Sequence, residues 1–451
     1  MKRVCSTFSQ ILQLIPRDRF EAAVKQHQAE RHARGFSSWG QFVAMMFCQL
    51  APAKSLREIT EGLQASEGKL RHLGLPEAPA RSTLAYANSH RPWQLFETVF
   101  VQLLADCQKR LGVAKVGSKL GWPGKLVSLD ATVIDLCAAV FDWAQFRTTK
   151  GAVKLHLLLD HDEYLPSYAV ITEGKVHEIQ VARKLKLQRG TMLVFDRGYT
   201  DYDWFQRLTE EGVHFVTRLK DNAAYIVVER RRASGEGMRA DEIIMLEKQA
   251  RSQVDTAPFL RRVRYRDEAT QRDLVFLTNQ LELPATTIAA LYKERWQIEL
   301  LFKALKQNLR VKTFVGTTAN ALKTQIWTAL IALLAVKFLQ LQAKFPWSLS
   351  RLISLLRQQL FVYRDLWRWI EVTVRATAAT NYRGLFTVTH RLASLTIRKY
   401  PTQFHALQEF RLLPFGFNIA GSCSQLIWTL VRQNNKKQEG ALFTDLRRYG
   451  G

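Results

Sequence analysis

The sequence predicts an α/β protein, with a mixed β-sheet in the middle of the chain and helical regions on both sides of it. Three observations carry that prediction. Residues 1–110 have helical spacing, residues 125–219 alternate β-rich runs with two helices, and helical spacing returns at Ala285. The 451 residues suffice for two or three domains, and an apolar content of 47% suffices for a sizeable core.

In the N-terminal part, Phe20–Val24 and Trp39–Phe47 have helical periodicity, the latter preceded by the capping candidates Ser37 and Ser38. Ser55, followed three residues later by Glu58, reads as a capping box that opens another helix. A break at Gly74–Pro76 precedes a short basic helix, Arg81–Arg91. Helix, turn, basic helix suits a DNA-reading helix-turn-helix, and equally suits any helical bundle.

Beyond a Gly- and Lys-rich joint around Gly117–Lys125 the pattern changes. Lys125–Leu136, Val153–Leu159 and Pro166–Thr172 read as strands, with a turn at Asp160–Glu163. A helix over His177–Leu187, a buried strand over Thr191–Asp196, a helix over Asp201–Glu211 and a strand over His214–Leu219 follow. From 222 to 283 four further β-rich runs, beginning at Tyr225, Ile243, Leu260 and Asp273, are joined by polar, Gly-containing turns and read as an insertion. Helices resume at Ala285 and continue through Ala319–Ala343. Ile326–Val336, the longest apolar stretch, is too short to span a bilayer and reads as a buried helix.

Charge narrows the partners. A net charge of +25 and a pI near 10 point to a polyanionic partner, with nucleic acid as the expectation. From residue 301 onward, 22 Lys and Arg face 5 Asp and Glu, so this third carries most of the excess. It interleaves cations with aromatics, as in Tyr363–Trp369, a mixture suited to gripping phosphate and stacking on bases. Cys5, Cys48, Cys107, Cys137 and Cys423 are scattered without a C-x-x-C pair, which disfavours a zinc module and a disulfide framework and fits a reducing cytoplasm. The N-terminal residues lack an apolar signal core, and no membrane association is expected.

The chemical signal lies in three segments. Asp130 sits within an apolar strand, and Asp196 ends another; a carboxylate there is costly unless it pairs or binds a metal. Gly198 would let backbone approach a ligand closely. On a helix, Tyr292, Arg295, Glu299 and Lys306 step by three, four and seven residues and so share a face. Three acids in a basic protein suit a divalent-cation site beside a polyanion. Hard oxygen donors favour Mg²⁺ or Mn²⁺, and two such ions can serve phosphodiester chemistry. Asp135, Asp160 and Asp162 read as turn caps or solvent-facing groups, and His156 as a packed strand residue. His177 and Glu178 read as a helix start, with a place near the site left open; Arg197 is left open between supporting Asp196 and touching DNA.

Asp130-Ala131-Thr132, Val194–Tyr199 and the Y-x2-R-x3-E-x6-K pattern of Tyr292, Arg295, Glu299 and Lys306 resemble the signature of bacterial DDE transposases of the insertion-sequence-four family. The resemblance covers roughly Leu126 to Lys306. It implies a ribonuclease H-like catalytic region at 120–400, interrupted by a β-rich insertion at 222–283. A helical N-terminal domain at 1–115, suited to DNA binding, would precede it, and a basic tail at 401–451 would follow. By the same resemblance Asp130, Asp196 and Glu299 hold two Mg²⁺ ions, for which Mn²⁺ can substitute, and Tyr292, Arg295 and Lys306 contact DNA. The partners implied are double-stranded DNA, as terminal inverted repeats and target, and a second copy of the chain in a dimer or higher synaptic complex. An aromatic of the insertion, Tyr225, Phe259 or Tyr265, would hold a flipped base. Two alternatives stay open: a ribonuclease H-like nuclease without strand transfer, and a DNA-binding regulator derived from a transposase.

Overall fold

The computed structural model describes residues 5–371, except 32, 34, 67, 112–119, 138–140, 142, 144, 148–149, 248–258, 310 and 312–313. The expected basic tail at 401–451 and the stretch 372–400 lie outside the described residues.

Six helices open the chain: α1 (Thr7–Leu12), α2 (Arg17–Gln26), α3 (Ser38–Leu50), α4 (Leu56–Gln64), α5 (Arg81–His90) and α6 (Gln94–Leu111). The starts of α3 and α4 follow the expected caps. Ser37 Oγ accepts from Gly40 N at 3.1 Å and Ser55 Oγ from Glu58 N at 3.1 Å, each satisfying a backbone donor that the helix leaves orphaned. The return bond from Glu58 goes to Lys54 N at 2.9 Å, one residue earlier than a capping box requires.

Ten strands form one mixed sheet: β1 (Leu126–Leu136), β2 (Gln145–Arg147), β3 (Lys150–Asp160), β4 (Leu165–Glu173), β5 (Met192–Phe195), β6 (His214–Arg218), β7 (Tyr225–Arg231), β8 (Met238–Leu246), β9 (Leu260–Asp267) and β10 (Arg272–Thr278). The order runs β2-β3-β1-β5-β6-β10-β9-β8-β7, with β4 also paired to β3. The β1–β3 and β3–β4 pairs are antiparallel, and β1–β5 and β5–β6 parallel. The four strands from 225 to 278 therefore join the main sheet beyond β6 instead of forming a sheet of their own. Strand β2 has only three residues, too few for a periodic signal in the sequence.

Two helices connect strands within the sheet region: α7 (Glu178–Ala182) between β4 and β5, and α8 (Tyr202–Glu210) between β5 and β6. Helix α7 stops well short of the expected Leu187. From Lys184 to Gln188 exposed polar residues alternate with the half-buried Leu185 and Leu187, a period of two that no helix face can bury. Four helices follow the sheet: α9 (Ala285–Glu294), α10 (Trp296–Asn308), α11 (Ala319–Gln342) and α12 (Leu349–Gln359).

Alternation along β5 explains the layering. Leu193 and Phe195 pack with Trp204, Phe205 and Leu208 of α8, while Met192 and Val194 pack with Ile288, Leu291 and Tyr292 of α9. A third core joins Phe42, Met45 and Met46 of α3 and Phe96 and Phe100 of α6 to Ile326–Val336 of α11. By length and composition α11 is the one helix among the described residues that could cross a membrane, yet 83% of its apolar window is buried inside the protein. Its apolar surface is thus consumed by the N-terminal helices, more than 200 positions away in sequence.

Beyond β6 the strands carry a buried ion pair. Arg261 on β9 makes a bidentate contact to Asp241 on β8, at 2.7 Å through each nitrogen, and both side chains are almost fully enclosed. The same guanidinium donates to the carbonyls of Leu281 and Leu283, in the segment that leads into α9.

Candidate active site

Parallel pairing of β1 with β5 sets the level of the two aspartates. The register runs from Leu126 opposite Met192 to Leu129 opposite Phe195. Asp130 and Asp196 are each the next residue, so they stand side by side where β5 ends and β1 runs on, a strand spacing of about 4.8 Å apart. Asp196 then starts a tight 3₁₀ turn, Arg197–Tyr199. Both carboxylates are half-buried.

The third acid arrives on α10. The segment expected to be one helix is divided at Arg295, which ends α9 and begins α10 while keeping helical backbone angles. Arg295 N bonds Tyr292 O at 3.1 Å and Ile298 N bonds Arg295 O at 3.2 Å, three-residue steps that tighten this turn to 3₁₀ geometry. The shared face survives the tightening. Arg295 Nη2 donates to Glu299 Oε1 at 2.5 Å and Nη1 to Asp130 Oδ2 at 3.2 Å, so one guanidinium ties α10 to β1.

The remaining residues of the pattern surround this contact. Tyr292 is 8% exposed; its ring packs on Phe276 at 4.9 Å between centroids and lies under the Arg295 guanidinium. Lys306 Nζ donates to the Val133 carbonyl on β1 at 2.7 Å. The tip of the segment is open: Trp296 and Leu300 are exposed beside Arg295 and Glu299. Of the three aromatics considered in the inserted strands, Phe259 is exposed, Tyr265 lies against Phe276, and Tyr225 lies under Arg262.

Burial dominates the electrostatics. It raises the Asp130 carboxyl to about 6; Glu299 and Asp196 push it the same way, and Arg295 and the Ala131 N–H oppose them. The Tyr199 phenol is raised by burial first and then by Glu178, Asp130 and Asp196. Burial also tends to lower Arg295, but Tyr292, Asp130 and Glu299 outweigh it and the guanidinium is held above its usual range.

Asp130 therefore has a stability consequence. The folded chain binds its proton more tightly than the unfolded one, so ionisation costs folding free energy as pH rises from about 4 through about 6. In chelator, Asp130→Asn should stabilise the protein on the order of 2 kcal/mol near neutral pH, with the gain shrinking toward pH 4. Thermal unfolding of both proteins at the two pH values checks this; a gain equal at both would rule out an ionisation cost at Asp130.

The donor set suits a hard divalent cation in chemistry: three carboxylates and no softer ligand. As placed, the positive charge is supplied by Arg295. Among the described residues no group of three or more His, Cys, Asp or Glu side chains is gathered to hold an ion. Arg295 stands between Asp130 and Glu299.

Two contacts behind the site escape the sequence. His161 Nε2 lies 2.6 Å from Ser128 Oγ, and its Nδ1 lies 3.5 Å from Glu294 Oε2. This buried histidine joins the strand of Asp130 to the residue preceding Arg295. The sequence shows only a polar turn at Asp160–Glu163, because the partners of His161 are 33 and 133 positions away in the chain.

Residues 121–335 match a family model described as a transposase DDE domain, and residues 5–76 match a domain of unknown function, DUF4372. A putative transposase of Sinorhizobium fredii, y4zB, is 31% identical over 296 residues, which span 64% of this chain and 80% of that protein. A probable transposase for insertion sequence element IS5377 of Geobacillus stearothermophilus is 29% identical over 58% of this chain and 68% of its own length. Among solved structures, the piggyBac transposase synaptic complex with hairpin DNA aligns with a TM-score of 0.42 and 9% identity, covering 80% of this chain and 81% of that one.

Proposed function

This chain belongs to the DDE transposase family and is a DNA transposase, and from that premise we propose that Asp130, Asp196 and Glu299 are its acidic triad. The observation that carries the assignment is the β1–β5 register, which brings two aspartates to one level while Arg295 ties the first of them to Glu299. The strand order β4-β3-β1-β5-β6, antiparallel then parallel, supports a ribonuclease H-like core. Strands β7–β10 would then be an insertion that prolongs the sheet, and the region 1–115 a DNA-binding domain.

DDE transposases use divalent metal; we assign Mg²⁺, as two ions, to the three carboxylates, where it would activate the attacking oxygen and stabilise the leaving one. The chain's own groups prepare the site. Burial holds Asp130 in a poorly solvated position, so its charge favours a cation over water. Arg295 neutralises Asp130 and Glu299 until DNA is present and is then suited to bidentate contact with a phosphate. Lys306 and Tyr292 are assigned to the same backbone, each exchanging its present partner for DNA. The substrates proposed are the terminal inverted repeats of the element and a target duplex, handled by a dimer or higher synaptic complex.

The test is a reaction with labelled element ends, a plasmid target and Mg²⁺. Cleavage followed by joining is expected. Cleavage without joining would favour the ribonuclease H-like nuclease, and binding without either reaction would favour the regulator.

A further inference from the structure

Glu178 has more neighbours of consequence than a helix start needs. It is the first residue of α7, on the connection between β4 and β5. Its Oε2 lies 3.4 Å from the point where a side chain on Gly198 would begin, and Asp196 Oδ2 lies 4.0 Å from the same point. The two carboxylates therefore approach the same point beside Gly198. Tyr199, the next residue in the chain, is 1% exposed, and its hydroxyl has no hydrogen-bond partner among the described residues. Burial raises that phenol first, but the next three influences are Glu178, Asp130 and Asp196, in that order. Three carboxylates from three different segments thus act electrostatically on this hydroxyl.

The carboxylate is also aimed. Lys154 on β3 is 12% exposed; its Nζ donates to the Val176 carbonyl at 3.0 Å and stands 3.5 Å from Glu178 Oε1. One carboxylate oxygen is held by the lysine, and the other is left toward Gly198. An acid at a helix start, paired with a lysine, accounts for the first oxygen. It accounts neither for the approach of the second oxygen toward Asp196 beside Gly198 nor for the unpaired hydroxyl of Tyr199.

We propose that Glu178 is a fourth acidic member of the site, binding a divalent ion or its water on the Asp196 side, with the Tyr199 hydroxyl accepting a hydrogen bond from that water. This rests on the metal-site reading above. The ion's hydration shell is large and reluctantly lost, so a site with few direct ligands gains from a carboxylate and a hydroxyl placed to hold water.

The test uses Mn²⁺ as probe and the full chain, following free Mn²⁺ by electron paramagnetic resonance without DNA. Glu178→Gln should weaken Mn²⁺ binding about tenfold, and Tyr199→Phe severalfold, with thermal unfolding in chelator unchanged for both. Asp196→Asn is the control. If it weakens Mn²⁺ while Glu178→Gln binds within about twofold of the parent, the fourth acid is overturned and the triad stands. If Asp196→Asn also leaves binding unchanged, the metal-site reading fails with it. Should Glu178→Gln not fold, Glu178→Asp and Tyr199→Phe decide the question in its place, because the proposal requires both to weaken Mn²⁺ binding.

Discussion

Asp196→Ala should lower DNA cleavage by at least ~10³-fold, some 4 kcal/mol of barrier, while leaving affinity for DNA ends within about twofold. The separation follows from position. Asp196 lies at the end of β5 beside Asp130, in the acidic centre, and its loss removes no cation from the surface that meets DNA. Glu299→Ala should behave alike, with an additional release of Arg295 from one of its two acids. Arg295→Ala should instead weaken DNA binding and flatten its salt dependence, as the phosphate contact proposed for it requires. Nicking and fluorescence anisotropy over a salt series measure both quantities. Full cleavage by Asp196→Ala with Mg²⁺ would sink the triad assignment.

Asp241→Ala should cost about 3–5 kcal/mol, roughly a third or more of what holds a typical domain folded. Arg261 would keep its charge in a place where both side chains are almost fully enclosed, with two backbone carbonyls as its remaining partners. Because those carbonyls belong to Leu281 and Leu283, the loss should also loosen the lead into α9, and through it the turn at Arg295. Urea unfolding reports the stability change. Replacing both partners together, as Asp241→Leu with Arg261→Met, should recover most of it, since no uncompensated charge is left. A loss below about 1 kcal/mol for the single variant would mean that water reaches this pair and that it is not the anchor of these strands.

Much of the scaffold is legible in the order of residues alone. Strands β1, β3–β10 and helices α2–α5, α8 and α9 lie where periodicity, caps and turns predict them, because each rests on contacts within a few residues or on one face of one element. The end of α7 departs from expectation because Leu185 and Leu187 supply apolar residues at the wrong period for a helix. The turn at Arg295 is hidden for another reason. Three-residue and four-residue hydrogen bonding leave the same side chains on one face, so the spacing of Tyr292, Arg295, Glu299 and Lys306 cannot distinguish them.

The site divides along the same line. By itself the sequence determined which residues carry charge into an apolar setting: Asp130 and Asp196 on strands, Glu299 on a helix, and cations at helical spacing around it. Local order does that, since burial of a strand or a helix face is written in its period. Only the tertiary structure decided which groups meet. It paired β1 with β5, gave Arg295 to both Asp130 and Glu299, set Glu178 and Tyr199 beside Asp196, and closed the N-terminal helices over α11. Those contacts join segments tens to hundreds of residues apart, and a side chain's partner across such a distance leaves no spacing in the chain to read. Charge, burial and period are properties of a segment; a site is a property of the fold that brings segments together.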